Sequence, residues 1–313
     1  MLRRQNKKEG QELTKKRKIF LAAILASVML TGSTACREVA VETTAAVGTT
    51  SSAVQETTNK ADSQSSSLSG SLTLTGSTSM SDVATALAEA FMAQNSDVIV
   101  SVGGNGSGEG PTAVNDGTAQ IGMLSRSLKD TESPDSFDKY IIGYDGIAVI
   151  VNAQSGVDSL TSEQVAKIYT GEITNWKDVG GADAAIQCIG REAASGTRGA
   201  FEELMGIEDI AVYAEEQNST GNVKQAVAAN PAAVGYVSIS AVDDSVLAVV
   251  LDGVTLSEAA VKSGDYSLQR PFVMITKAGT TDEVTAAFLD FVFSDAGMKI
   301  VEEDGLVPNP GKT

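Results

Sequence analysis

The chain is 313 residues long, carries 23 Lys and Arg against 40 Asp and Glu for a formal charge of −17, and contains two cysteines and no histidine. Such acidity excludes the basic face that a nucleic acid demands. Without histidine, thiol catalysis of the Cys-His type is excluded, no carboxylate cluster stands at metal-ligand spacing, and neither a metal nor another cofactor is expected.

Residues 1–35 read as a lipoprotein signal peptide. Arg3, Arg4, Lys7, Lys8, Lys15, Lys16, Arg17 and Lys18 form a basic head, and Ile19–Leu30 is an apolar stretch of 12 residues. That stretch is too short for a stable membrane span and suits a secretory signal. It runs into Ser33-Thr34-Ala35-Cys36, which is similar to a bacterial lipobox, whose cysteine receives acyl chains such as palmitate and becomes the new N-terminus; Ser33 departs from the aliphatic residue usual there. Removing residues 1–35 leaves 15 basic against 38 acidic residues, a net charge of −23. Residues 36–69 hold 13 Ser or Thr after the cysteine and no aromatic residue. They bury too little apolar surface to offset ordering entropy and read as a disordered tether with a reach of roughly 30 Å. With Cys36 lipidated, Cys188 stands alone in the apolar run Ala185–Gly190, as a buried structural thiol.

From Gly70 onward, strand-like runs alternate with helical patterns. Ser71–Gly76 reads as a strand, Ser79–Asn95 as a helix with Val83, Leu87, Ala90 and Phe91 inward, Val98–Val102 as a strand, Gly110–Gly117 as a short helix and Gln120–Leu124 as a strand. Further strands are predicted at Gly146–Asn152, Ala185–Gly190, Val234–Ser238 and Pro271–Thr276, with helices at Ser162–Tyr169, Ala200–Met205, Val223–Asn230 and Thr281–Asp295. The alternation predicts an α/β fold with mainly parallel, buried sheets. In such folds ligands sit beyond the carboxyl ends of the strands, at helix N-termini.

Four strand ends carry hydroxyls or cations toward that face. Arg191 is followed four residues later by Ser195-Gly196-Thr197, which opens a helix with free N–H groups and two hydroxyls, a cradle for a tetrahedral oxyanion. Leu74–Met80 repeats the pattern, a strand ending at Gly76 followed by three hydroxyl residues, Ser77, Thr78 and Ser79. Gly103-Gly104-Asn105-Gly106-Ser107-Gly108-Glu109-Gly110 has five glycines in eight positions, so backbone N–H groups can converge around Ser107 without a Cβ in the way. It lacks the lysine of a nucleotide P-loop and the spacing of a dinucleotide fingerprint. Ser125-Arg126 also lies just past a strand, with Arg126 equally readable as an ion-pair partner for an acidic neighbour. Trp176 reads as a packed helix-end residue rather than a sugar platform.

On these motifs, together with Asp145–Asn152, Ile168–Trp176 and Val234–Val237, nearly the whole globular part resembles the PstS-type phosphate-binding lipoproteins of bacterial ABC importers. The resemblance implies a two-lobed periplasmic-binding-protein-like fold of type II, each lobe a mainly parallel sheet flanked by helices, with the ligand in the interlobe cleft. Lobe I is expected over 70–147 and 246–313, lobe II over 148–245. The family pattern places on phosphate the Ser79 hydroxyl, the Met80 N–H and Ser107 from the first lobe, and Arg191, Ser195, Gly196 and Thr197 from the second. Thr78 and Arg126 are marginal candidates. Where well-known members carry an Asp that accepts the ligand's proton, this chain has Ser125, and Asp145 is the nearest carboxylate for that role. The function implied is a monomeric, non-enzymatic protein that captures inorganic phosphate for ABC permease subunits, held by lipid on Cys36 at the outer face of the bacterial cell membrane. The alternatives are a binding protein for sulfate or molybdate, or a phosphate-sensing or adhesion module without transport.

Overall fold

A computed structural model describes residues 68–279 and 281–311; the expected signal peptide over 1–35 and residues 36–67 of the expected tether lie outside the described residues. Alternation sets the first strand: in β1 (Ser69–Gly76) Leu72 and Leu74 are buried and Thr73 and Thr75 are less so. A single 3-10 turn, Thr78–Met80, leads into α1 (Ser81–Gln94), where Val83, Ala84, Leu87, Ala88 and Phe91 recur on the buried face. β2 (Asp97–Gly104), α2 (Glu109–Asn115), β3 (Ile121–Leu124) and β4 (Phe137–Val151) follow. The strand expected at Gly146–Asn152 is only the second half of β4, because the first half, rich in Asp, Lys, Tyr and Gly, shows no continuous apolar run.

The next stretch comprises β5 (Ser159–Leu160), α3 (Ser162–Tyr169), β6 (Gln187–Arg191), α4 (Gly196–Met205), β7 (Glu215–Gln217), α5 (Thr220–Ala229) and β8 (Ala233–Ser238). Then come β9 (Leu247–Ala248), β10 (Val250–Leu251), α6 (Glu258–Ser263), β11 (Gln269–Lys277), α7 (Glu283–Val292), α8 (Asp295–Glu303) and β12 (Val307–Pro308). The single helix expected over Thr281–Asp295 ends at Val292, and Ser294 starts a new one by accepting the Gly297 N–H at 3.2 Å.

The main sheet runs β2-β1-β3-β11-β4-β8-β6-β7. Its flanks are parallel as expected, β2-β1-β3 on one side and β8-β6-β7 on the other. The middle is antiparallel: β11 pairs with β3 and with the first half of β4, and β8 pairs with the second half of β4. β4 changes partner between Gly146, opposite Gln269, and Ile147, opposite Ser238. A Cβ at Gly146 would lie 2.5 Å from Leu256 Cδ1 and 3.0 Å from Val261 Cγ2, so a larger residue at the changeover would displace the Leu256 side chain.

Two large apolar clusters flank this changeover. One gathers Leu72, Leu74, Leu87, Phe91, Met123, Phe272, Phe288 and Val301; the other gathers Ile147, Val149, Tyr169, Trp176, Phe201 and Tyr236. Val249, Leu251, Val261, Tyr266 and Leu268, all within the span expected to belong to lobe I, pack in the second cluster. Trp176 is fully buried there and its indole N–H donates to the Ala232 carbonyl at 3.0 Å.

Candidate functional site

The site begins where β1 ends. Gly76 has φ 137°, and a Cβ on it would fall 2.1 Å from the Met123 carbonyl oxygen, which accepts the Ser77 N–H at 2.8 Å. Only glycine lets the strand end approach β3 so closely. The Gly76 carbonyl in turn accepts the N–H groups of Asn105 and Gly106, each at 2.8 Å, fixing the glycine-rich loop beside the Thr78–Met80 turn.

Across from these loops stands the start of α4. Ser195 caps it by accepting the Arg198 N–H at 3.2 Å, which leaves the hydroxyl proton of Ser195 to donate. The N–H groups of Gly196 and Thr197 open the helix and have no acceptor within it. The two sides meet directly: Ser79 Oγ lies 2.7 Å from Thr197 Oγ1, and the Gly108 N–H donates to the Ala194 carbonyl at 3.0 Å. Ser107 Oγ accepts the Ser125 N–H at 3.1 Å and lies 3.3 Å from Ser125 Oγ. A Cβ at Gly196 would sit 2.1 Å from Ser107 Oγ and 2.7 Å from Ser125 Oγ. Ser79, Ser107, Ser125, Ser195, Gly196 and Thr197 are thus one buried assembly.

Arg191, 1% exposed at the end of β6, spends three of its five guanidinium N–H groups within the protein. Its Nε and Nη2 fork onto Glu192 at 2.8 Å each, its Nη1 donates to Thr220 Oγ1 at 3.2 Å, and its backbone N–H donates to the Tyr236 hydroxyl at 3.2 Å. Tyr236 is itself fixed by stacking on Phe201 at 4.1 Å, so α4 and β8 jointly set the backbone at Arg191. Thr220 Oγ1 reaches Ser79 Oγ at 3.1 Å and Thr78 Oγ1 at 3.3 Å, which brings Thr78 to the rim of the assembly.

Three expected ligands have other occupations. The Met80 N–H donates to the Ser77 carbonyl at 3.2 Å and its side chain lies in the first core cluster, because the turn that presents Ser79 consumes that amide. Arg126 pairs with Glu132 through Nη1 at 2.8 Å and Nη2 at 2.7 Å and also donates to the Ser127 carbonyl at 2.9 Å; it is the ion-pair residue of the two readings. Asp145 accepts from Ser238 Oγ at 2.6 Å and the Ile239 N–H at 3.3 Å on one oxygen, and from Arg270 Nε at 2.9 Å and Nη2 at 2.8 Å on the other. With four donors on its two oxygens, Asp145 has no lone pair left for a ligand proton. Burial lifts its carboxyl above the ordinary range, and Arg270 pulls it back down. The carboxylate acceptor expected here is therefore committed to a cation.

Two residues of the assembly are absent from the sequence expectations. Thr220 opens α5 within Ser219-Thr220-Gly221, a helix start with the same hydroxyl-then-glycine character as Ser195-Gly196-Thr197. Arg270 precedes the apolar run of β11 and is register partner of Asp145 across the antiparallel pair; a lone cation at the head of a buried strand was its signal. Among the described residues no group of three or more His, Cys, Asp or Glu is placed to hold a metal ion, and no helix is long and apolar enough to cross a membrane.

Comparison with known proteins places this arrangement in a class: a family model for the PBP superfamily domain matches residues 40–296. Phosphate-binding protein PstS of Bacillus subtilis is 35% identical over 248 residues, covering 77% of this chain and 81% of that one. A Clostridium perfringens substrate-binding protein of the phosphate ABC transporter type, solved with bound phosphate, is 40% identical with a TM-score of 0.74, over 77% of this chain and all of the other. An ABC-type phosphate transport receptor from Vibrio cholerae is 37% identical with a TM-score of 0.65, over 76% of this chain and all of the other. The chain belongs to the PstS family of phosphate-binding proteins.

Proposed function

We propose that this chain captures inorganic phosphate outside the cell membrane and hands it to the permease of an ABC importer, acting as a binding protein and not an enzyme. The observation that carries the reading is the contact of Ser79 with Thr197 beside the buried Arg191: hydroxyls at the starts of helices that pack in the two apolar clusters converge with a fixed guanidinium. The donors are the hydroxyls of Ser79, Ser107, Ser125, Ser195 and Thr197, the N–H groups of Gly196 and Thr197, and Arg191. Hydroxyls and amides of this kind match an anion with four oxygens, and they are strongest when desolvated.

The lobes follow the apolar clusters, 69–146 with 269–311 against 147–268, with the chain crossing at Gly146/Ile147 and Leu268/Gln269. Parting the lobes separates Ser79 from Thr197 and frees both hydroxyls for a guest, so phosphate shifts the population toward the closed form. Affinity is micromolar or tighter, about −8 kcal/mol or more favourable. Lipid on Cys36 holds a monomer at the outer face of the membrane, and a Cys36→Ser chain is then released into the medium.

Calorimetric titration of the full chain with phosphate, then sulfate, tests the reading; heat with phosphate at micromolar concentration is the expected result. The saturation of Asp145 gives weight to a second reading, capture of an oxyanion that carries no proton, such as sulfate or molybdate. Heat with sulfate and none with phosphate selects it.

A further inference from the structure

Arg270 is 2% exposed and makes contacts on only part of its guanidinium. Nε and Nη2 hold Asp145 at 2.9 and 2.8 Å, and Nη2 also reaches Ser79 Oγ at 3.3 Å. Nη1 is buried and has no hydrogen-bond partner. In a planar guanidinium the Nε–Nη2 side and the Nη1–Nη2 edge point in different directions. The first is spent on the carboxylate, so the second is the edge that faces Ser79.

Arg191 is built the same way. Its Nε–Nη2 side is spent on Glu192 and its Nη1 reaches Thr220, whose hydroxyl lies 3.1 Å from that of Ser79. The two guanidinia therefore reach one hydrogen-bonded pair of hydroxyls, Arg270 at Ser79 and Arg191 at Thr220, and each is held by one carboxylate. Their charges are near enough that Arg191 pushes down the proton affinity of Arg270, on top of the larger effect of burial. A charged donor left orphaned in the interior is costly and rare, and here it borders a set of anion donors.

We infer that Arg270 is a second cationic ligand of the oxyanion site, its Nη1 donating to an oxygen of the anion, with Asp145 as the positioning carboxylate that aims it. This rests on the phosphate reading above and deepens it. Asp145 is then bound to the cation that meets phosphate and not to the ligand's proton.

The experiment uses the full chain and inorganic phosphate. Replacing Arg270 alone would strand a buried carboxylate, so the informative variant is Arg270→Met with Asp145→Asn, which removes the pair together. It is expected to melt as a folded protein and to bind phosphate at least tenfold more weakly than the natural chain. A folded double variant whose dissociation constant stays within threefold of natural overturns the assignment. The second measurement needs no variant: a crystal structure of the natural chain with phosphate should place Nη1 about 3 Å from a phosphate oxygen. Phosphate bound with Nη1 turned away from every one of its oxygens also overturns it. If the natural chain gives neither heat nor bound phosphate, the phosphate reading fails and this assignment with it, an outcome distinct from the loss of Arg270 alone.

Discussion

Ser79 Oγ and Thr197 Oγ1 lie 2.7 Å apart although 118 residues separate them in the chain. Each sits at the mouth of a helix, and each helix buries its apolar face in a different cluster, so the contact reports how the two halves meet. Thr197→Val keeps the shape and removes the hydroxyl. It is expected to weaken phosphate binding at least tenfold, as one charge-assisted bond is worth about 1.5–3 kcal/mol. Stability should fall by only about 1 kcal/mol, because Ser79 keeps Thr220 and Arg270 as neighbours. Calorimetry and thermal melting read the two effects separately, and an unchanged dissociation constant would remove Thr197 from the site.

Gly196 shows why a helix opening here must be bare. A Cβ would meet Ser107 Oγ at 2.1 Å, Ser125 Oγ at 2.7 Å and Ser107 Cβ at 2.8 Å. Gly196→Ala therefore pushes α4 away from the glycine-rich loop, breaking the registration of both hydroxyl pairs. Overpacking of this kind costs about 1–3 kcal/mol where the neighbours cannot move. Phosphate binding is expected to fall more than tenfold while the circular dichroism stays that of a folded α/β protein; natural affinity in the variant would show that the two lobes do not need this approach.

The donors on helix and strand ends were legible because their chemistry is local. Ser195-Gly196-Thr197, Thr78-Ser79 and the glycine-rich loop each follow a strand and precede a helix, and a strand-then-helix order fixes the face they share. What was not legible depends on pairing between distant strands. Asp145 looks like a free carboxylate until β4 is set against β11, and then Arg270 stands opposite it. The antiparallel middle of the sheet was hidden for a related reason: the first half of β4 is half-buried and mixed in polarity, with Asp138, Lys139, Tyr140 and Tyr144 among its residues. Thr220 follows the same rule as Ser195 but gives no sequence signal of a helix start, because the apolar periodicity of α5 begins only at Val223.

Arg126 separates a site residue from a structural one. Its fork onto Glu132, with both side chains largely buried, holds the loop after β3. Burial alone would raise the Glu132 carboxyl, but the Arg126 guanidinium and the Lys129 N–H outweigh it and leave the group below its ordinary 4.5. A depressed acid stabilises the fold above its unfolded value and loses that contribution as the pH falls through the folded one, so the pair weakens below about pH 4.5. Arg126→Ala is expected to cost about 1–3 kcal/mol at neutral pH. The cost should shrink in melts taken at progressively lower pH, and phosphate affinity at neutral pH should stay within twofold. A tenfold loss of affinity would return Arg126 to the site.

Cys188 tests the packing of the second cluster from inside. Its thiol donates to the Ile168 carbonyl at 3.5 Å, and burial pushes its pKa up to about 12. Thiolate is the reactive form, so at pH 8 the population able to attack a disulfide reagent is about one part in ten thousand, before access is considered. In a Cys36→Ser chain, Cys188 is the remaining cysteine, and the native protein is expected to release no chromophore from a thiol reagent over minutes, then one equivalent on unfolding in guanidinium. Because β6 carries both Cys188 and Arg191, any local opening that exposes the thiol also loosens the guanidinium. Saturating phosphate should therefore slow the residual reaction in proportion to its occupancy. Rapid labelling that phosphate leaves untouched would show that the end of β6 opens independently of the site.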